Sequence, residues 1–110
     1  MHLQVSRSTV GDATVIGATG ELDLHTAPDL DTALKQATEE QVRLLVVDLT
    51  GVDFMDSTGL STIVAAVANA RGYGGEVRVV AASEKITKVF VLTGVDQQVG
   101  IHASLEEASS

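Results

Sequence analysis

Cysteine is absent from the 110 residues, so disulfides and thiolate chemistry are excluded. Tryptophan is absent too, and aromatics are limited to one tyrosine and two phenylalanines. Any core must therefore be aliphatic. Val, Leu, Ile and Ala supply most of an apolar fraction of 45%, which reads as globular and not disordered. Basic residues are few, seven against fifteen acidic ones, for a net charge of −8. Nucleic acid and anionic membrane surfaces both need a basic patch, so neither is expected as a partner. A basic protein surface is the natural complement. No apolar run approaches the roughly 20 residues that span a bilayer. Met1-His2-Leu3-Gln4-Val5-Ser6-Arg7 has neither a basic start nor a long apolar stretch, so no secretory signal is expected and the expected location is the cytoplasm. The length predicts one domain, residues 1–110, with a single ordinary core. No linker, repeat or low-complexity segment is visible.

What is present centres on the stretch from Leu44 to Leu60. Leu44-Leu45-Val46-Val47 is a continuous apolar run that suits a strand covered on both faces. After Gly51 the polarity rises, and Asp53 and Asp56 mark a loop. From Leu60 the spacing turns helical, with Leu60, Ile63, Val64 and Val67 on one face. Ser57 stands just ahead of that pattern, where an N-cap is expected. Its hydroxyl then lies at the carboxyl end of a strand and the amino end of a helix, where open α/β sheets tend to place function.

The remaining chain supplies the framework. Leu3–Thr9 and Ala13–Thr19 read as a hairpin around Gly11-Asp12. Gly20 to His25 reads as a loop. A helix opens near Thr26 with Pro28 in its first turn, and Ala27, Leu30, Leu34 and Ala37 form its apolar stripe. Gly72 stops the next helix, and Tyr73-Gly74-Gly75 is a turn. These glycines follow a helix and no GK[ST] is present, so they are not a phosphate-binding loop. Glu76–Ala82 reads as a strand and Ser83-Glu84 opens a third helix, with Ile86, Val89 and Phe90 inward and Gly94 closing it. Gln98–Ile101 is a short last strand and Ser104–Ser109 a short helix or frayed end. The order predicts an α/β fold, with helices packed on a mixed, mainly parallel sheet.

Most serines ahead of a helix only cap it. Two features add to that reading here. No charged residue occurs from Ser57 to Ala70, and the side of the helix away from its core stripe carries Ser61, Thr62, Ala65, Ala66 and Asn69. Such a small, neutral face suits close approach by another protein, or burial under a loop of the same chain. Asp23, Asp53 and Asp56 are also expected on the same rim, as a metal site or simply as solubilising charge. Asp56 is too close to Ser57 to be an ordinary triad base. His2, His25 and His102 make no convincing nucleophile-activating pair and GxSxG is absent, so a serine hydrolase is not expected. A phosphate on Ser57 suits the helix N-terminus, yet brings about −1.5 to −2 charges beside Asp56. A partner pressed on the helix must desolvate or repel that charge.

Phe54-Met55-Asp56-Ser57-Thr58-Gly59-Leu60 resembles the signature of the bacterial anti-sigma factor antagonists, small STAS-domain proteins. Gly20-Glu21-Leu22-Asp23 with His25-Thr26-Ala27 resembles their first loop. Gly74-Gly75-Glu76, and Phe90 with Gly94-Val95, also sit where that family has them. The resemblance covers nearly the whole chain and implies a single STAS domain. It implies a partner that is both an anti-sigma factor and a serine kinase. The unphosphorylated form binds this partner and releases the sigma factor. Phosphorylation of Ser57 switches binding off, and a PP2C-type phosphatase restores it. Thr58 is the alternative acceptor. Asp23 and Asp56 flank the acceptor, and the implied partner face comprises Asp23, Asp56, Ser57, Thr58, Gly59, Ser61, Thr62, Ala65 and Asn69. No enzyme activity, cofactor or metal is implied. One competing reading is an unphosphorylated STAS scaffold or transporter-associated subunit. Another is a small enzyme or metal-binding domain using Asp23, Asp53 and Asp56. The absence of Lys, Arg and His from Asp48 to Asn69 opposes phosphoryl-transfer catalysis there.

Overall fold

Gly11 takes φ of 59° at the first of two loop residues, a conformation that L side chains rarely adopt. It lets the chain reverse at once, so that β1 (Leu3–Val10) pairs antiparallel with β2 (Ala13–Leu22), Val10 opposite Ala13. The computed structural model describes residues 2–110. After the hairpin come α1 (Ala27–Glu39), β3 (Leu44–Met55), α2 (Ser57–Arg71), β4 (Glu76–Val80), α3 (Glu84–Thr93), a 3-10 turn at Val95–Gln97, β5 (Gly100–His102) and α4 (Leu105–Ser109). The sheet runs in chain order, β1-β2-β3-β4-β5, and every pair after the hairpin is parallel. The expected mixed, mainly parallel α/β architecture is the one found.

This order decides where the helices go. Each crossover steps one strand further in the same direction, and right-handed crossovers of that kind lay their helices on one face. Leu30 and Leu34 of α1, Ile63 and Val67 of α2, and Ile86 and Phe90 of α3 share one cluster with Leu45, Val47 and Leu49 of β3. The other face is covered over a smaller area. There Leu44 and Val46 meet Val15, Val80 and, from α4, Ala108 and Leu105. Leu44 to Val47 are all buried, as a strand covered on both faces requires.

The structure corrects three local readings. Gly20–Leu22 is the end of β2, not a loop, and β3 continues through Asp53 to Met55. Asp53 is therefore an exposed strand residue. Register shifts at Gly17/Thr19 and at Gly20/Glu21 change the alternation, so that Val52 and Met55 are both buried while Asp53 and Phe54 between them are exposed. Ala66 lies in the core at 3% exposure, beside Ile63 and Val67, and not on the outer face of α2. Val89, expected inward, is half-buried against the core.

Candidate functional site

The site is the junction where β3 ends and α2 begins. Asp56 holds an extended backbone, with φ −102° and ψ −175°, and its side chain accepts a hydrogen bond from the Gly59 N–H at 3.0 Å. Asp56 is therefore the N-cap. The expectation that Ser57 caps the helix is corrected: Ser57 is the first helical residue, and its side chain is exposed. The break from strand to helical backbone falls one residue earlier than the onset of apolar periodicity suggests. The Asp56 carboxylate is long enough to reach the N–H three residues on. Ser57 enters the hydrogen-bond network through its carbonyl, which accepts from the Ser61 hydroxyl at 2.9 Å.

The helix start is pressed against the end of β2. The Asp56 N–H donates to the Leu22 carbonyl at 3.1 Å. Gly59 is buried, and a Cβ at that position would lie 2.6 Å from Leu22 Cγ. The motif Asp-Ser-Thr-Gly thus has a local logic. Asp56 caps, Ser57 faces solvent, Thr58 is half-buried, and Gly59 permits close contact.

The neighbouring loop is ordered by Asp23, which is 5% exposed. Its Oδ1 accepts from the backbone N–H groups of His25 (2.9 Å) and Thr26 (3.1 Å). The Thr26 hydroxyl accepts from the Asp23 N–H at 2.9 Å and donates to the Glu21 carbonyl at 2.7 Å. Burial pushes the Asp23 carboxyl up, but hydrogen bonds from Thr26 and His25 outweigh it and hold the group below the usual carboxylate range. Asp23 Oδ2 is buried with no hydrogen-bond partner. Among the described residues no three His, Cys, Asp or Glu side chains are grouped to hold a metal ion. Asp23 and Asp56 are instead both engaged by backbone N–H groups.

The outer face of α2 extends from this junction. Ser61, Ala65, Ala68 and Asn69 are exposed and Thr62 is half-buried. Among the described residues no loop covers Ser61, Ala65 or Asn69, so this neutral face is not buried within the chain. Two exposed apolar residues of the same rim lie outside the expected partner face: Leu24 is 65% exposed and Phe54 is 38% exposed. Phe54 could have been found as the large apolar residue of β3 out of step with Val52 and Met55. Its ring has the Lys85 ammonium 5.8 Å from the centroid, a pairing across elements that spacing does not reveal.

The model of the STAS domain family matches residues 4–108. An anti-sigma-B factor antagonist of Staphylococcus aureus is 27% identical over 106 residues, covering 96% of this chain and 98% of that protein. The crystal structure of an anti-sigma factor antagonist from Mycobacterium paratuberculosis superimposes with a TM-score of 0.91 at 27% identity, covering 97% of this chain and 91% of that one. The STAS domain of a SulP transporter from Vibrio cholerae shares the fold, with a TM-score of 0.72 at 22% identity, over 94% of this chain and 82% of that one.

Proposed function

The chain belongs to the STAS domain family, and from that premise we propose that it is an anti-sigma factor antagonist controlled by phosphorylation of Ser57. The observation that carries this reading is the division of labour at the start of α2. Asp56 caps the helix, which leaves the Ser57 hydroxyl exposed beside an uncharged helix face. A serine engaged as a cap would be a poor acceptor. Thr58, half-buried, is the less accessible of the two hydroxyls.

In the unphosphorylated state, an anti-sigma factor with serine kinase activity docks on the α2 face along Ser61, Thr62, Ala65 and Asn69. The sigma factor is released. Phosphorylation places about −1.5 to −2 charges at the edge of that contact. The helix N-terminus accommodates the phosphate, so the fold persists. The partner must bury or repel it, and a hundredfold loss of affinity needs only about 2.7 kcal/mol. A PP2C-type phosphatase reverses the switch. The proposed role is binding in the cytoplasm, without catalysis by this chain. Names of the S. aureus and M. paratuberculosis relatives support the reading.

The test is intact-mass analysis and site mapping after incubation with ATP and each candidate anti-sigma kinase of the host. One phosphoryl group on Ser57, lost in Ser57→Ala, is the expected result. Addition that persists in Ser57→Ala moves the site to Thr58. No addition with any kinase overturns the switch.

A further inference from the structure

Lys85 and Lys88 stand apart from the other basic residues of this acidic chain. Arg7 pairs with Glu40 at 2.6 Å, Lys35 with Asp31 at 2.9 Å, Arg43 with Asp12 at 3.7 Å and Arg78 with Glu76 at 2.8 Å. Arg71 donates to the Gln98 carbonyl. Among the described residues, the two α3 lysines alone lack both an ion pair and a hydrogen-bonded protein acceptor. They are one helical turn apart and lead directly into Val91 and Leu92, which are 54% and 75% exposed. A shallow groove of about 600 Å³ is lined by Glu84, Lys85, Thr87, Lys88 and Val91. Contact of Lys85 with the Phe54 ring joins this patch to the end of β3, three residues before Ser57. Phe54, Val91 and Leu92 are three of the five large apolar residues left exposed on the described surface.

We infer that this basic, apolar face of α3 is a second docking surface for the anti-sigma factor, which meets it with acidic side chains around an apolar contact. The inference rests on the proposed function and extends its footprint from α2, across Phe54, to α3. Charge complementarity selects the occupant's chemistry. An acidic surface is repelled by a chain of net charge −8 everywhere except where unpaired cations face outward. Val91 and Leu92 then supply the desolvated centre that a ring of charges alone lacks. The continuity through Phe54 ties this surface to the same partner that reads the state of Ser57.

The experiment is calorimetric titration of the full, unphosphorylated chain with each candidate anti-sigma factor at low and high salt. Wild type is compared with Lys85→Glu/Lys88→Glu, with Leu92→Ser and with Arg43→Glu, whose arginine precedes β3 at the end of the strand opposite Ser57. Circular dichroism establishes that each variant is folded. The double charge reversal is expected to weaken binding at least tenfold and to flatten its salt dependence. Leu92→Ser should weaken it several-fold, and Arg43→Glu should leave it unchanged. Wild-type affinity in both α3 variants, with binding abolished by Ala65→Arg on α2, overturns this inference and leaves the proposed function standing. Failure of the wild type to bind any candidate overturns both. A homodimer in sedimentation that the double charge reversal dissociates assigns the patch to a second copy and also overturns it.

Discussion

Gly59 and Leu22 meet so closely that a Cβ on residue 59 would lie 2.6 Å from Leu22 Cγ and 3.1 Å from the Leu22 carbonyl oxygen. Both residues are buried, so neither has free space to move into. Gly59→Ala therefore forces α2 away from the end of β2. The expected cost is about 1–3 kcal/mol, typical of overpacking, read as a lower urea midpoint. Combining it with Leu22→Ala should cost less than the sum of the two single changes, because the second truncation opens the space the first requires.

Asp56 and Ser57 are adjacent, but only Asp56 satisfies a helix N–H. Asp56→Ala should destabilise the fold by about 1 kcal/mol, within a range of 0.5–2. Ser57→Ala should stay within about 0.5 kcal/mol of wild type, as an exposed surface change does. Thermal or urea unfolding of the pair distinguishes them. The reverse ranking would return the cap to Ser57.

Most of this architecture is legible in the sequence because its signals are local. The run Leu44–Val47, the stripe Ala27-Leu30-Leu34-Ala37 and the turn at Gly11-Asp12 each state their environment within a few residues. The neutral span Ser57–Ala70 likewise marks an unusual helix face. What is not legible depends on geometry between elements. Strand pairing through two register shifts carries β3 past Gly51 to Met55, where polarity alone suggests a loop. The place of Ala66 turns on how α2 is rotated against the sheet, and alanine is compatible with either side. The cap fell to Asp56 because backbone dihedrals, not apolar spacing, set the first helical residue. Lys85 over Phe54 joins residues from two elements, and neither segment announces it.

Gln41 holds a left-handed backbone with φ of 57°, just past the end of α1. For a residue with a Cβ this conformation costs about 1–2 kcal/mol, and glycine is the usual occupant after a helix. Its N–H still donates to the Thr38 carbonyl at 3.0 Å, a bond that glycine can keep. Gln41→Gly is expected to stabilise the chain by about 0.5–1 kcal/mol after allowing for the added freedom of the unfolded chain. Calorimetry should show a melting temperature raised by a few degrees.

Acid should destabilise the fold in a direction set by three carboxylates. Hydrogen bonds from backbone N–H groups outweigh burial and lower Asp23, and Arg7 and Arg78 lower Glu40 and Glu76. A group whose folded-state value is depressed contributes its full stability above the unfolded value of about 4, and that contribution is lost as pH falls through the folded value. Urea midpoints should therefore hold steady above the ordinary carboxylate range in this respect and drop below it. Asp23→Asn retains an oxygen to accept the His25 and Thr26 bonds but removes the titration. Its stability should fall less steeply as pH drops below about 4, the unperturbed carboxylate value. An unchanged slope would show that Asp23 does not contribute to the acid response.

Ala65 tests the α2 face apart from the switch itself. It is exposed two turns along the helix from Ser57, among Ser61, Ala68 and Asn69, with no element of the chain above it. Arginine has a high helix propensity, so Ala65→Arg should leave the melting temperature nearly unchanged. A backbone approaching this face closely has no room for a guanidinium and no reason to carry its counter-charge. Binding to the anti-sigma factor should therefore fall at least a hundredfold, which corresponds to about 2.7 kcal/mol. Ser57→Asp should fall less, since one negative charge replaces the −1.5 to −2 of a phosphate. The two variants fail for different reasons, one by bulk across the contact and one by charge at its edge. Raising the salt should partly restore Ser57→Asp and leave Ala65→Arg weak, because ions screen charge but not overlap. Equal recovery of both would mean that the α2 face is not in close contact, and that Ser57 acts only through the field it adds.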